Sequence, residues 1–582
     1  VAQLELPDWP QGLDHPYLKT QLIPYIGNKR SLQGRLAQVF RRIAGGTPSP
    51  GQPFLDPFAG SGAVSRLARF LGFRVIAGDW EFYAYVLNFA HLCVGRSEGA
   101  GLFAASGGMQ GVIEDLNRLP APAESDLYIA QHYAPANTES ADYRVERLFY
   151  TRENALRIDA IRARIESLYP GFELQGDRKK EKFLLLAALL YQSATHTNTS
   201  GVFKACHKGF GGHSRDALSR ILAPIRLQAP ELVDGPPAEV EQREAADLSR
   251  GRPVELCYLD PPYNQHQYGS NYHLLNTIAL WDRPPVSGAL GADGRLLHKA
   301  GIRPDWVKTR SLFCYRHSAA AAFRELLEAV DARWIVVSCN NGGIIPLEAL
   351  VESLAGQGRL TLEASDYTAY RGGRQSISRQ LHTQEMLLVL KRGPSTPVGH
   401  LTGVRRSIVL NRLRLLLRGS FHPERIASQF RVTGGGICVS PGGGEWGVPM
   451  WRCYRFPPEA LAVVEKLALC PEVTEAQLSA LAVSLEGCRF ADLGEEVDLL
   501  AFMLARPGVE PPLSRAESAE VQRRILRLLR KYTHRKYRER FEATLARLRL
   551  LDRDGGSDSA DLAVLRQGLA RIQSLARARF DG

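Results

Sequence analysis

Residues 53–62 read Pro-Phe-Leu-Asp-Pro-Phe-Ala-Gly-Ser-Gly, an apolar run that ends in an acid and then turns on glycine. Pro53 to Asp56 reads as a short strand, Gly60 and Gly62 as a turn, and 63–71 as a helix with apolar residues at helical spacing. Arg74-Val75-Ile76-Ala77-Gly78-Asp79 is a second strand, closed by another acid. Strand, glycine turn, helix, strand is a βαβ half-unit, so the fold class is α/β. Glycines there let the backbone approach a ligand, and a helix amino terminus attracts negative charge. A dinucleotide fingerprint needs GxGxxG, and no third glycine follows Gly60-Ser61-Gly62, which weakens a pyrophosphate reading. Asp79 stands where a Rossmann-like site places the acceptor for ribose hydroxyls. The pair points to a nucleoside-containing cofactor without pyrophosphate; the plain alternative is a glycine loop and a solvated acid.

A second stretch, Leu259-Asp260-Pro261-Pro262-Tyr263-Asn264, closes another apolar run, Val254 to Leu259. Prolines lack the N–H that a ladder needs, so they stop the strand and leave the Asp260 carboxylate at its carboxyl end. Further strands are read at 333–338 and 386–390, and a helix at 179–193.

The chain has 582 residues, 45% hydrophobic and 23% charged, which suits a globular protein of three or four units. No apolar run reaches transmembrane length, and the opening VAQLELPDWP has acids and prolines where a signal peptide needs basic and then apolar residues. A soluble, cytoplasmic protein is expected. Nine scattered cysteines without a CxxC pair read as reduced thiols rather than a metal site. The net charge of +12 and pI near 9.3 fit a polyanionic partner, or a bias of the whole proteome. Four regions are expected: 20–94 and 242–392 as two parts of one core, 95–241 as an insertion, and 400–582 after a proline-bearing linker. The last region holds 29 basic and 21 acidic residues.

DPFAGSG (56–62) followed by LDPPY (259–263), with Pro24-Tyr25-Ile26-Gly27-Asn28-Lys29 upstream, resembles the Dam-like, alpha-group N6-adenine DNA methyltransferases. The order of Gly-Lys loop, cofactor motif, long insertion and DPPY is that group's order. Residues 264–275 are similar to a sub-branch that includes modification methylases of type IIS systems, and 338–343 to its later core motif. The resemblance implies a Rossmann-like S-adenosylmethionine-dependent core with an inserted target-recognition region and a mostly helical basic C-terminal domain. It assigns the cofactor to Tyr25, Asn28, Lys29, Asp56, Phe58, Ala59, Gly60, Ser61, Gly62, Asp79, Trp80, Asp247, Leu248 and Asp260, with S-adenosylhomocysteine as product and no metal. Asp247 would accept from the cofactor's adenine amine. Catalysis falls to Asp260, Pro261, Pro262 and Tyr263.

The chemistry of DPPY also stands on its own. An adenine exocyclic amine is a poor nucleophile, because its lone pair is delocalised into the ring. Acceptors at both hydrogens, the Asp260 carboxylate and the Pro261 carbonyl, favour a tetrahedral nitrogen and stabilise the charge that develops. Tyr263 offers a face for stacking. The base must leave the duplex first, which costs a few kcal/mol of unstacking. DNA contacts are expected from the insertion loop 195–208, through Thr197, Asn198, Lys204 and Lys208, from Arg215, and from Arg527 and Lys531 on a helix over 521–540. Solvated polar surface is the alternative at each. The partners implied are double-stranded DNA and, in a prokaryote, a separately encoded restriction endonuclease, with no membrane; the enzyme would be nucleoid-associated. Cytosine-N4, RNA-adenine and protein-glutamine methyltransferases use the same logic, and an inactive nucleic-acid-binding homologue is a further class.

Overall fold

A computed structural model describes residues 13–49, 51–211, 215–368, 384–394, 398–505, 513–533, 537–554 and 563–580. The chain divides into two compact units, 1–369 with 383–401, and 370–382 with 402–582.

The first unit is built on a seven-stranded sheet of order β3-β2-β1-β4-β5-β7-β6. Its strands are β1 (Pro53–Asp56), β2 (Arg74–Asp79), β3 (Glu239–Gln242), β4 (Val254–Leu259), β5 (Ala332–Asn340), β6 (Gly358–Thr368) and β7 (Gln384–Arg392). Strands β1 to β5 pair in parallel; β7 runs antiparallel between β5 and β6. The chain winds outward from β1 in one direction and from β4 in the other, so the crevice between their carboxyl ends is the topological switch point. Leu55 faces Cys257 across that pair, which brings Asp56 and Asp260 to the same end of the sheet.

One sheet face carries Phe54, Val75, Leu256, Tyr258, Val336 and Val389, packed with Leu36 and Phe40 of the helix Gln33–Ala44 and Leu67 of Ala63–Leu71. On the other side, the helices Arg152–Leu168 and Gly176–Thr195 of the insertion share a core with Phe82–Leu92 and His273–Leu280. The described long helices of the insertion therefore pack into the same core as the catalytic helices around them. The sheet also resumes at Glu239, inside the expected 95–241 region.

The second unit is mostly helical, as expected, and adds a three-stranded antiparallel sheet of β8 (Arg431–Thr433), β9 (Gly436–Val439) and β10 (Trp446–Pro449) that the sequence reading missed. Among its described residues it holds two cores, one around Phe421, Leu413 and Leu478 and one around Ile525, Leu528 and Tyr532. The helix expected over 521–540 is instead Arg515–Leu529, followed by a 3-10 turn, Arg530–Tyr532. Its buried face is as read, with Ile525, Leu528, Leu529 and Tyr532 inside. Arg524 on this helix is half-buried and pairs with Glu496 at 2.8 Å. Among the described residues no helix is long and apolar enough to cross a membrane.

Candidate active site

The glycine turn after β1 is shaped by what packs into it. Gly60 has φ +51, and a Cβ there would lie 2.6 Å from Tyr25 Cε1; at Gly62, φ +75, it would meet Asn88 Oδ1 at the same distance. Both positions demand glycine for conformation and for space. Asn88 Nδ2 donates to the Gly60 carbonyl (3.0 Å) and the Gly60 amide to Asp79 Oδ2 (2.9 Å). The other Asp79 oxygen accepts the Glu81 amide at 2.9 Å. Asp79 thus pins the turn to the end of β2, and burial lifts its pKa to about 6 against those amide bonds. Asn28 Nδ2 reaches Ser61 Oγ at 3.2 Å, which joins the Gly-Lys loop to the same turn. Ala59 is buried, while Phe58 and Trp80 remain half-buried.

Asp56 is buried, and Ser65 Oγ donates to its Oδ2 at 2.6 Å, while Oδ1 has no hydrogen-bond partner among the described residues. Burial lifts this carboxyl to about 7; the Ser65 hydroxyl opposes the rise and the nearby Asp260 charge adds to it.

Lys29 is the centre of the site. Its ammonium is buried 3.2 Å from Asp260 Oδ1 and 3.7 Å from Glu385 Oε2, donates to the Gly27 carbonyl at 3.0 Å, and sits 4.4 Å from the Tyr263 ring centroid. Burial raises the Asp260 pKa and Lys29 is the chief opposing influence; Glu385 is raised for the same reason. Tyr263 is fixed by its hydroxyl, which donates to Ser338 Oγ at 2.8 Å on β5. Pro261 is buried and Pro262 half-buried. Beyond the DPPY turn, Tyr268 and Tyr272 flank the Tyr25 ring, each with its centroid 5.2 Å away.

The structure therefore gathers Tyr25, Asn28, Lys29, the turn 58–62, Asp56, Asp79 and Asp260 around one crevice. Asp247 is outside this network: it is exposed and paired with Arg250 at 2.5 Å, while Leu248 is buried close against Gly78. Two expected DNA contacts prove internal. Thr197 and Asn198 are buried; Thr197 donates to the Phe149 carbonyl (3.3 Å) and Asn198 Nδ2 to the Leu148 carbonyl (2.9 Å). Buried loop carbonyls need donors, and these polar side chains supply them. Lys204, Lys208, Arg527 and Lys531 are exposed, with Lys208 5.4 Å from the Tyr143 ring. Arg215 begins the helix Arg215–Leu222, and its side chain lies outside the described residues. Glu385 and Ser65 were missed, and Ser338 was read only as the start of the later core motif; each is a polar side chain bordering an apolar run, alongside other polar residues of the same element, so the local sequence did not single it out.

Among the described residues no three His, Cys, Asp or Glu side chains are placed to hold a metal ion. The profile of the D12 class N6 adenine-specific DNA methyltransferases matches residues 25–326. The Type II methyltransferase M.NlaIII of Neisseria lactamica is 30% identical over 348 residues, 60% of this chain and 92% of the relative. Type II methyltransferase M.CviAII of Paramecium bursaria Chlorella virus 1 is 28% identical over 60% of this chain and 93% of its own. Type II methyltransferase M.FokI of Planomicrobium okeanokoites is 28% identical over 57% and 46%. No solved structure matches the chain.

Proposed function

Because the chain belongs to the D12 class N6 adenine-specific DNA methyltransferases, we propose that it transfers the methyl group of S-adenosylmethionine to adenine N6 at a specific duplex sequence, as the modification partner of a restriction endonuclease. The observation that carries this reading is Asp260 at the switch point, beside the glycine turn and ion-paired with Lys29.

The residues of the crevice fit the cofactor. The unpartnered Asp56 Oδ1 suits the ammonium of its methionine portion. Each Asp79 oxygen keeps acceptor capacity beyond the amide it holds, enough for ribose hydroxyls. When bound, the cofactor supplies an electrophilic methyl on a sulfonium. Asp260 and the Pro261 carbonyl hold the two hydrogens of the amine, so its lone pair points away from the ring plane. As the nitrogen gains charge in a direct displacement, Asp260 stabilises it and then takes the proton, directly or through water. Lys29 opposes the upward push of burial on the Asp260 carboxyl and so favours the ionised form that role needs. The adenine is presented flipped out of the stack.

Asp260→Ala is expected to abolish methyl transfer while S-adenosylhomocysteine still binds in calorimetry; normal turnover in that variant would remove the assignment. Single-molecule sequencing of DNA from cells expressing the protein reads modified base and sequence together, and methylated cytosine in place of adenine would overturn the proposed target.

A further inference from the structure

The segment 302–317 has no part in the site as described, yet it is anchored to it at several points. Gln267, just beyond the DPPY turn, exchanges two hydrogen bonds with Ser311 (2.8 and 3.0 Å). Cys314 Sγ donates to the His266 carbonyl at 3.6 Å. Phe313 meets the edge of Phe58 in the cofactor turn, with centroids 5.3 Å apart at 89°. Gly269 is so close beneath the segment that a Cβ would lie 2.8 Å from Thr309 Oγ1. The result is a strap of two 3-10 turns, Pro304–Thr309 and Leu312–Cys314, fixed between the catalytic loop and the glycine turn.

Its outer side is basic and apolar together. The only acid between 302 and 317 is Asp305, which is held by the buried Arg303 at 2.6 Å. Lys308, Arg310 and Arg316 are exposed, and among the described residues no carboxylate lies within ion-pair distance of them. Arg310 is propped over the Trp306 ring at 4.8 Å. Val307 and Leu312 stand 43% and 54% exposed between these cations. Cations held by no carboxylate, interleaved with uncovered apolar side chains on a rigidly held strap, match a polyanion that also offers sugar and base surface.

We propose that this strap is a duplex-DNA contact at the mouth of the active site, with Lys308, Arg310 and Arg316 on phosphates beside the target adenine and Val307 and Leu312 against the adjoining sugars. The inference rests on the function proposed above. It adds a grip on the catalytic unit itself, next to the chemistry.

The test is fluorescence anisotropy of a labelled duplex with the full chain over a range of salt, comparing wild type with Lys308→Gln/Arg310→Gln/Arg316→Gln. Each phosphate no longer neutralised makes the log–log salt slope shallower by about 0.9, so the variant is expected to lose about two to three in slope and on the order of tenfold or more in affinity. Calorimetry with S-adenosylhomocysteine should give wild-type affinity, which shows the site still folded. An unchanged slope, whether or not affinity falls, overturns the strap as a phosphate grip. A wild type that methylates DNA beside a variant of equal slope rejects the strap alone; a wild type that neither binds nor methylates duplex DNA rejects the function reading and the strap with it.

Discussion

At the scale of single residues, the site turns on one buried ammonium shared by two carboxylates. Asp260 must be ionised to accept from the amine, and burial raises its pKa while Lys29 pulls it down. Lowering the pH protonates it, so the rate is expected to fall on acidification, with a midpoint above the ordinary aspartate range of about 3.9. Lys29→Met removes the opposing charge and leaves Asp260 facing Glu385, so the midpoint should move to still higher pH. Around Asp260 the other titratable neighbours include Asp56, Tyr258, Tyr263, Tyr268 and Cys339, whose neutral or negative forms cannot replace that cation. At neutral pH kcat should drop about a hundredfold or more. Profiles of kcat against pH for both proteins check this; an unmoved midpoint would refute the role given to Lys29. Sequence alone had placed Lys29 in the cofactor pocket, because motifs group residues that are near in the chain. Its partner Glu385 lies at the far end of the unit, beyond the reach of any local pattern.

At the scale of elements, the strands that could be read were those whose physics is local. β1, β2 and β4 are apolar runs stopped by an acid or prolines, and they lie where the sequence put them. β3 is four polar or half-exposed residues, Glu-Val-Glu-Gln, on the sheet edge, and only pairing with β2 makes it a strand. In the loop at 195–208 the opposite happened at two positions: Thr197 and Asn198, expected to contact DNA, are enlisted to satisfy the Phe149 and Leu148 carbonyls. The glycine turn invites a direct trial. Gly60→Ala places a Cβ against Tyr25 in a left-handed backbone, at a cost of order 1–3 kcal/mol. Cofactor affinity should fall about tenfold or more in calorimetry. Gly45→Ala, φ +74 with nothing within 4 Å, carries conformational strain alone and should bind as wild type.

At the scale of the molecule, each unit has its own hydrophobic cores, and every residue of the crevice belongs to the first. Scanning calorimetry should therefore resolve two transitions, with S-adenosylhomocysteine raising only one of them. A ligand at 100 times its Kd adds about 2.7 kcal/mol to the unit that binds it. Equal shifts of both transitions, or one indivisible transition, would show that the units do not unfold independently. The antiparallel β7 also bears on how the enzyme is made. Lys29 emerges from the ribosome early, the Asp260 turn much later, and Glu385 only with the last strand of the sheet. A chain stopped after β5 would carry the glycine turn and DPPY but lack one of the two acids that hold the Lys29 ammonium. A chain truncated before β7 is therefore expected to show no methyl transfer, and activity in such a product would show that Glu385 and the β5–β7 pairing are dispensable.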